Sequence, residues 1–347
     1  MNHVSKFLKF KNWWAPKIGT GIFTWFLFSI YFDCNQGLFF HRSHWLVFGT
    51  LVLLALFGHL VNDISDLKQD IQAGKVNFWN KINPKFSPWI LVSLGAISLI
   101  LASLVSSQIT LLILVQLVLN ILYSVHPVRL KERGWLSMIV TGFYERALPY
   151  LVILFSLNHA IVFELKDSFF LIAYFTWAYS WECRNYINGQ LRDRELDVST
   201  GLKTLSVIVD NEKLVAVKSR LFFVEFLAYI SWLVALAFRN FLFFSTFSAV
   251  LALIIVTHRL TIKNLYYLKK AEYCIDFIYT HVLFSAALIA SMIVMKTSIC
   301  FNVSLLLLFT SRYTIEIIRF VYHRIFFVAS FVINNTIFYI RKLFFKN

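Results

Sequence analysis

The sequence predicts an all-α, polytopic membrane protein of about nine transmembrane helices. They form two four-helix pseudo-repeats plus one, followed by a C-terminal helical extension. Three observations carry this prediction. Hydrophobic residues make up 59% of the chain, charged residues 15%, and the mean hydropathy is +0.69, well outside the composition of soluble domains. Apolar stretches close to the roughly 20 residues that a bilayer requires recur along the chain. The connections between them alternate between rich and poor in lysine and arginine.

Residues 1–17 interleave Lys6, Lys9, Lys11 and Lys17 with Phe7, Leu8, Phe10, Trp13 and Trp14, the pattern of an amphipathic segment lying in the membrane interface. No cleavable signal peptide is evident, so the first span is expected to act as an uncleaved insertion signal. Spans are expected near 18–33, 44–62, 88–106, 108–125, 135–157, 168–190, 220–238, 241–258 and 278–296. Connections on one side carry Lys68, Lys75, Lys81 and Lys85, then Arg129, Lys131 and Arg133, then Arg192, Arg194, Lys203, Lys213 and Lys218, then Arg259, Lys263, Lys269 and Lys270. The other side carries little beyond Arg42, Lys166, Arg239 and Lys296. The positive-inside rule therefore places the N-terminus in the cytoplasm, and a bacterial inner (cytoplasmic) membrane is the expected location. Beyond this core, residues 299–347 hold apolar runs separated by Arg312, Arg319, His323 and Arg324 on one helix face. The expected organisation is thus 1–17, 18–298 and 299–347.

The net charge of +15 would suggest nucleic acid in a soluble protein. Here basic loops facing anionic lipid account for it, and no nucleic-acid partner is expected. The cysteines Cys34, Cys183, Cys274 and Cys300 are scattered without a CxxC, which argues against a disulfide framework or a zinc site.

Chemistry concentrates at the ends of two apolar runs. Asp66 and Asp70 follow the run His44 to Val61, and Asp193 and Asp197 follow the run Phe169 to Tyr179. Each pair is spaced four apart, which puts both carboxylates on one helix face. Each is followed four residues later by a glycine, Gly74 or Gly201, with a lysine close behind. Such oxygen-rich surfaces suit Mg²⁺, which in turn suits a phosphate. The four carboxylates would hold Mg²⁺ ions bridging a diphosphate and neutralise charge on a leaving group. Asn62, one turn before Asp66, shares that face and would orient a metal-bound water or carboxylate; Asp63 points elsewhere. The motifs follow the second and sixth spans, so both fall on the cytoplasmic side and can face one cavity, as in an internal repeat.

A basic and aromatic stretch, Tyr123 to Lys131, follows the fourth span on the same side. Pro127 ends the helix, and Arg129 and Lys131 can then clamp phosphate oxygens, the first by a fork and the second as a point charge. Within the spans lie Glu145, Arg146, Glu182, Arg184 and Glu225. Charges at such depth face a cavity or one another. Glu145 and Glu182 would either position an acceptor and take its proton or form interhelical ion pairs.

The segments Asn62-Asp63-x-x-Asp66-x-x-x-Asp70, Tyr123-Ser124-x-x-Pro127-x-Arg129-x-Lys131 and Asp193-x-x-x-Asp197-x-x-x-Gly201-x-x-Thr204 resemble, in kind and order, the UbiA superfamily of intramembrane prenyltransferases. The resemblance spans roughly residues 15–298. It implies a nine-span helical fold, Mg²⁺ dependence, an isoprenyl diphosphate donor and a small lipophilic or aromatic acceptor. It implies a first metal site of Asn62, Asp66 and Asp70, a second of Asp193 and Asp197, and diphosphate contacts from Tyr123, Arg129, Lys131 and Lys203. One departure is Gly189, flanked by Asn188 and Gln190, where many members have Asn or Tyr. The rival readings are a terpene cyclase of the same superfamily, using the same metals without an acceptor, and a cation-coupled transporter. A transporter would place its carboxylates near mid-membrane, whereas these lie at span ends.

Overall fold

The computed structural model describes residues 14–32, 42–72, 74, 77–81, 84–157 and 165–261. Most of the expected interfacial segment, the ninth expected span and the extension 299–347 lie outside the described residues. Among the described residues every regular element is helical. The chain forms two compact units, residues 1–244 and 245–347. The first unit holds everything that follows, apart from the remainder of the last helix.

Each of the first eight expected spans coincides with a helix. A π-helical turn, Trp14–Gly19, leads into α1, Thr20–Tyr31. Helix α2 is Arg42–Ser65 and the short α3 is Leu67–Gln72. Helix α4, Ser87–Ser103, begins with a proline in its first turn, where the missing N–H would have had no partner anyway. Helix α5, Ser107–Ser124, is capped by Ser106, whose side chain accepts from the Ile109 amide at 3.2 Å. The fifth span is built of α6, Trp135–Gly142, a π-turn Phe143–Ala147, and α7, Leu148–Ser156. Pro149 has no N–H to give to the Glu145 carbonyl, and the ladder adjusts there by its π-turn. Helix α8, Leu165–Ser199, has 35 residues, about 52 Å at 1.5 Å per residue. It outruns the hydrocarbon core of roughly 30 Å, which carries the second acidic motif past the membrane. Helix α9 is Leu205–Ile208, α10 is Asn211–Arg239 and α11 is Phe241–Thr261.

Four of these, 42–65, 107–124, 135–156 and 211–239, are long and apolar enough to cross a bilayer, and shorter apolar helices lie at Ser87–Ser103 and Phe241–Ala252. The chain is an integral membrane protein. In α10 only 28% of the most apolar window is buried, and Phe223, Phe226, Leu227, Ile230 and Phe238 are exposed. Water would penalise such a face at about 25 cal/mol per Å², and lipid removes that penalty.

Helix α2 lies against α4 and α5, and α8 lies against α10 and α6. Between α2, α4 and α5 the core is Val47, Leu54, Phe57, Val61, Ala102, Ile113 and Leu117. Helix α1 joins α8 through aromatic rings. Tyr31 stacks on Phe170 with centroids 3.7 Å apart, and Thr24 shares a 2.8 Å hydrogen bond with the Tyr174 hydroxyl. Such ring contacts supply orientation where lipid offers no hydrophobic drive between helices.

Candidate active site

The end of α2, the end of α8 and the α5–α6 connection converge on one cavity of about 430 Å³. Asn62, Asp66, Asp70, Asp193 and Asp197 all line it, as do Tyr123, Lys131, Glu145 and Glu182. The two acidic motifs, well over a hundred residues apart in the chain, therefore line one cavity.

Helix α2 ends at Ser65, yet the i→i−4 ladder continues through the break. The Asp66 amide donates to the Asn62 carbonyl at 3.0 Å, and the Asp70 amide to the Asp66 carbonyl at 2.8 Å. That continuity keeps Asn62, Asp66 and Asp70 on one face, as their spacing predicts. Asp63 does not point away as expected. It is 2% exposed, lines the same cavity, and has its carboxylate 3.9 Å from His59 Nε2.

Asp66 is held by both members of the basic clamp. Arg129 Nη2 donates to Asp66 Oδ1 at 3.0 Å, and Lys131 Nζ donates to the same oxygen. Lys131 also donates to Asn62 Oδ1 at 3.2 Å. Burial lowers the Lys131 ammonium from its ordinary pKa, and Asp66 beside it opposes that shift only in part. Arg129 is 2% exposed and also donates to Glu132 Oε1 at 2.5 Å and to the Ser65 carbonyl at 3.3 Å. Its backbone is left-handed, φ 40°, a conformation that costs a non-glycine residue about 1–3 kcal/mol and survives only where surrounding contacts enforce it. Arg129 thus stands behind Asp66 and is not on the cavity wall, while Lys131 faces the cavity.

At the second motif Asp193 is half-exposed, with Arg192 Nε 3.2 Å from its Oδ1. Asp197 is buried and accepts from the Thr204 hydroxyl at 2.8 Å. Lys203, expected at the diphosphate, is exposed and does not line the cavity; its neighbours Leu202 and Thr204 do. The turn after Gly201 points alternate side chains inward, and Lys203 falls on the outer side.

Deeper in, Lys17 donates to Glu145 Oε1 at 2.7 Å, and Arg146 Nε donates to Glu182 Oε2 at 2.6 Å. Arg146 also donates to Thr20 Oγ1 at 2.6 Å and lies 4.3 Å from the Trp181 ring centroid. Both acids are therefore ion-paired and also line the cavity. Lys17, the last residue of the expected interfacial segment, lines it as well. Tyr144 and Tyr186 line it beside Tyr123, and the Tyr123 and Tyr144 rings are 5.2 Å apart. Arg184 and Glu225, by contrast, pair away from it.

Among the described residues no group of three or more His, Cys, Asp or Glu side chains forms a ready-made metal cluster. The side-chain donors that the two motifs bring to the cavity, from Asn62, Asp66, Asp70, Asp193 and Asp197, are hard oxygens. Mg²⁺ takes one or two carboxylates and leaves its other positions to water and substrate phosphate. The two motifs fit an ion shared with a phosphate, and do not fit an all-protein cage.

A bundle of apolar helices with a polar, carboxylate- and ammonium-lined cavity at their ends defines an integral membrane protein with a charged site. The UbiA prenyltransferase family matches residues 18–273, and the chain belongs to that family. Similar solved structures include the apo form of a UbiA homologue from Aeropyrum pernix K1, at 15% identity and a TM-score of 0.58, covering 80% of this chain and 98% of that one. A digeranylgeranylglyceryl phosphate synthase has 16% identity, a TM-score of 0.53 and coverage of 84% and 98%. A UbiA homologue from Archaeoglobus fulgidus bound to GPP and Mg²⁺ has 14% identity, a TM-score of 0.51 and coverage of 80% and 98%. No curated protein sequence matches the chain.

Proposed function

We propose that this prenyltransferase moves an isoprenyl group from an allylic diphosphate to a small lipophilic or aromatic acceptor, releasing diphosphate. The carrying observation is that both acidic motifs and Lys131 line one cavity. The GPP and Mg²⁺ held by the Archaeoglobus fulgidus homologue support the same donor class and cofactor. Asn62, Asp66 and Asp70 would hold one Mg²⁺, and Asp193 and Asp197 a second. When bound, the metal supplies charge neutralisation on the diphosphate oxygens.

The chain's own groups divide the remaining work. Lys131 donates to diphosphate oxygens, and Arg129 fixes Asp66 from behind, so the guanidinium acts through the aspartate. Tyr123 stands beside them at the cavity wall. The allylic C–O bond breaks with its electrons passing to diphosphate, and the electron-poor carbon is shielded from water by the aromatic wall of Tyr123, Tyr144 and Tyr186. The acceptor forms the new bond and loses a proton towards Glu145 or Glu182, on the cavity side away from the motifs. The site and the N-terminus face the cytoplasm of a bacterial inner membrane in this reading, which the alternation of basic connections supports.

Lys131→Met is expected to raise KM for the donor by about 10- to 100-fold, the worth of one charge-assisted hydrogen bond. Steady-state kinetics on purified protein check it. Incubation with a panel of allylic diphosphates, with and without candidate acceptors, tests the reaction itself by mass spectrometry. Prenylated acceptor with stoichiometric diphosphate is the expected result. A cyclic hydrocarbon formed without acceptor would instead establish a terpene cyclase.

A further inference from the structure

The second aspartate of each motif is gripped by the residue seven positions further on. Asn77 Nδ2 donates to Asp70 Oδ2 at 2.7 Å, and Thr204 Oγ1 donates to Asp197 Oδ2 at 2.8 Å. In both halves a left-handed glycine, Gly74 with φ 64° or Gly201 with φ 71°, lies between aspartate and donor. A side chain at either glycine would meet nothing within 4 Å, so backbone conformation, not space, selects glycine there. That conformation ends the helix and turns the chain back on its last turn. In the second half the Leu202 amide returns to the Asp197 carbonyl at 2.9 Å. Both donors are buried, at 1% and 7% exposure. Asn77 is itself anchored: it donates to the Asp63 carbonyl at 2.7 Å and accepts from the Trp79 amide at 2.9 Å. Trp79 Nε1 in turn donates to the Leu60 carbonyl at 3.0 Å, tying the connection to α2.

We infer that Asn77 and Thr204 are positioning residues, one in each half, that set the orientation of Asp70 and Asp197 towards a divalent cation shared with diphosphate. This rests on the proposed function. A carboxylate turns easily about its last torsion, and a bond to one oxygen fixes its plane. Asn77 and Thr204 are neutral, so they orient a carboxylate without cancelling its charge. Asp66 is held by a different device, the charged pair Arg129 and Lys131.

The test uses the full-length protein in detergent with inorganic diphosphate present, titrated with Mn²⁺ and read by the electron paramagnetic resonance signal of the free ion. Thr204→Val and Asn77→Leu are expected to weaken Mn²⁺ binding about tenfold or more, the usual scale for partners that orient metal ligands. Thr204→Ser, which keeps the hydroxyl, should restore affinity close to that of the unaltered chain. Folding is followed by circular dichroism and gel filtration. Should Asn77→Leu fail to fold through loss of its loop anchor, the Thr204 pair decides the matter. Folded Thr204→Val with unaltered Mn²⁺ affinity overturns the inference. Asp70→Asn and Asp197→Asn serve as controls: unaltered Mn²⁺ binding in both would overturn the cation reading of the cavity itself, whereas losses there beside an unaffected Thr204→Val overturn positioning alone.

Discussion

Asp66→Ala and Asp197→Ala are each expected to cut turnover by on the order of 10³-fold, the scale seen when one preorganised charge is removed from the place where reaction charge develops. The two substitutions act at opposite motifs, so a shared cavity predicts similar losses from both, although the residues lie far apart in the sequence. Their structural consequences differ in a way that guards the interpretation. Without Asp66, Arg129 keeps Glu132 and the Ser65 carbonyl, and Lys131 keeps Asn62. Without Asp197, Thr204 keeps a 3.5 Å contact with Ser206. Asp66→Ala leaves the buried Lys131 ammonium with only the neutral Asn62 oxygen, so that variant should insert and keep its helices but melt below the parent. Diphosphate release and product mass, measured on folded protein of each variant at a temperature below both melts, check the loss of turnover. Retention of most activity in both variants would remove the assignment.

What could be read from residues alone follows from which signals are periodic. Apolar length located each of the first eight helices, because the bilayer sets a span and leaves the sequence little choice. Four-residue spacing placed Asp66 with Asp70 and Asp193 with Asp197, because the α-helix repeats nearly at that interval. The same reasoning turned Asp63 away, and it failed because the cavity is wide enough for α2 to present an arc and not a line. Asn77 was invisible for a different reason. It sits just before the 3₁₀ turn Phe78–Lys81, where no periodicity relates it to Asp70, and the second half uses Thr204 for the same bond, so the repeat does not show as matching residues. The family resemblance implies Lys203 as a diphosphate contact, but the turn at Gly201 leaves it exposed and off the cavity wall. Lys17 looked like one more interfacial lysine, and only the packing of α1 against the π-turn brings it to Glu145.

The intramembrane charges divide the same way, and the division makes a second large prediction. A charge within a span suggests function by default, yet Arg184 and Glu225 do not line the cavity. Arg184 Nε donates to Glu225 Oε2 at 2.7 Å and Nη2 to Oε1 at 3.2 Å, with the side chains 1% and 0% exposed. This fork joins α8 to α10, the helix that carries the second motif to its neighbour. Arg184→Met is expected to destabilise the fold by about 3–5 kcal/mol, because it leaves a buried carboxylate without the cation that both its oxygens touch. Arg184→Met combined with Glu225→Leu should recover most of that loss, since removing both charges also removes the cost of burying them. Thermal melting of the single variants and the double variant in detergent measures the coupling, and prenyl transfer by the double variant should remain near that of the parent. A double variant as unstable as the single one would show that the pair does more than fasten two helices. The corresponding treatment of Arg146 and Glu182, whose carboxylate lines the cavity, should restore stability without restoring activity, and that contrast separates the charges that hold the bundle from those that serve its chemistry.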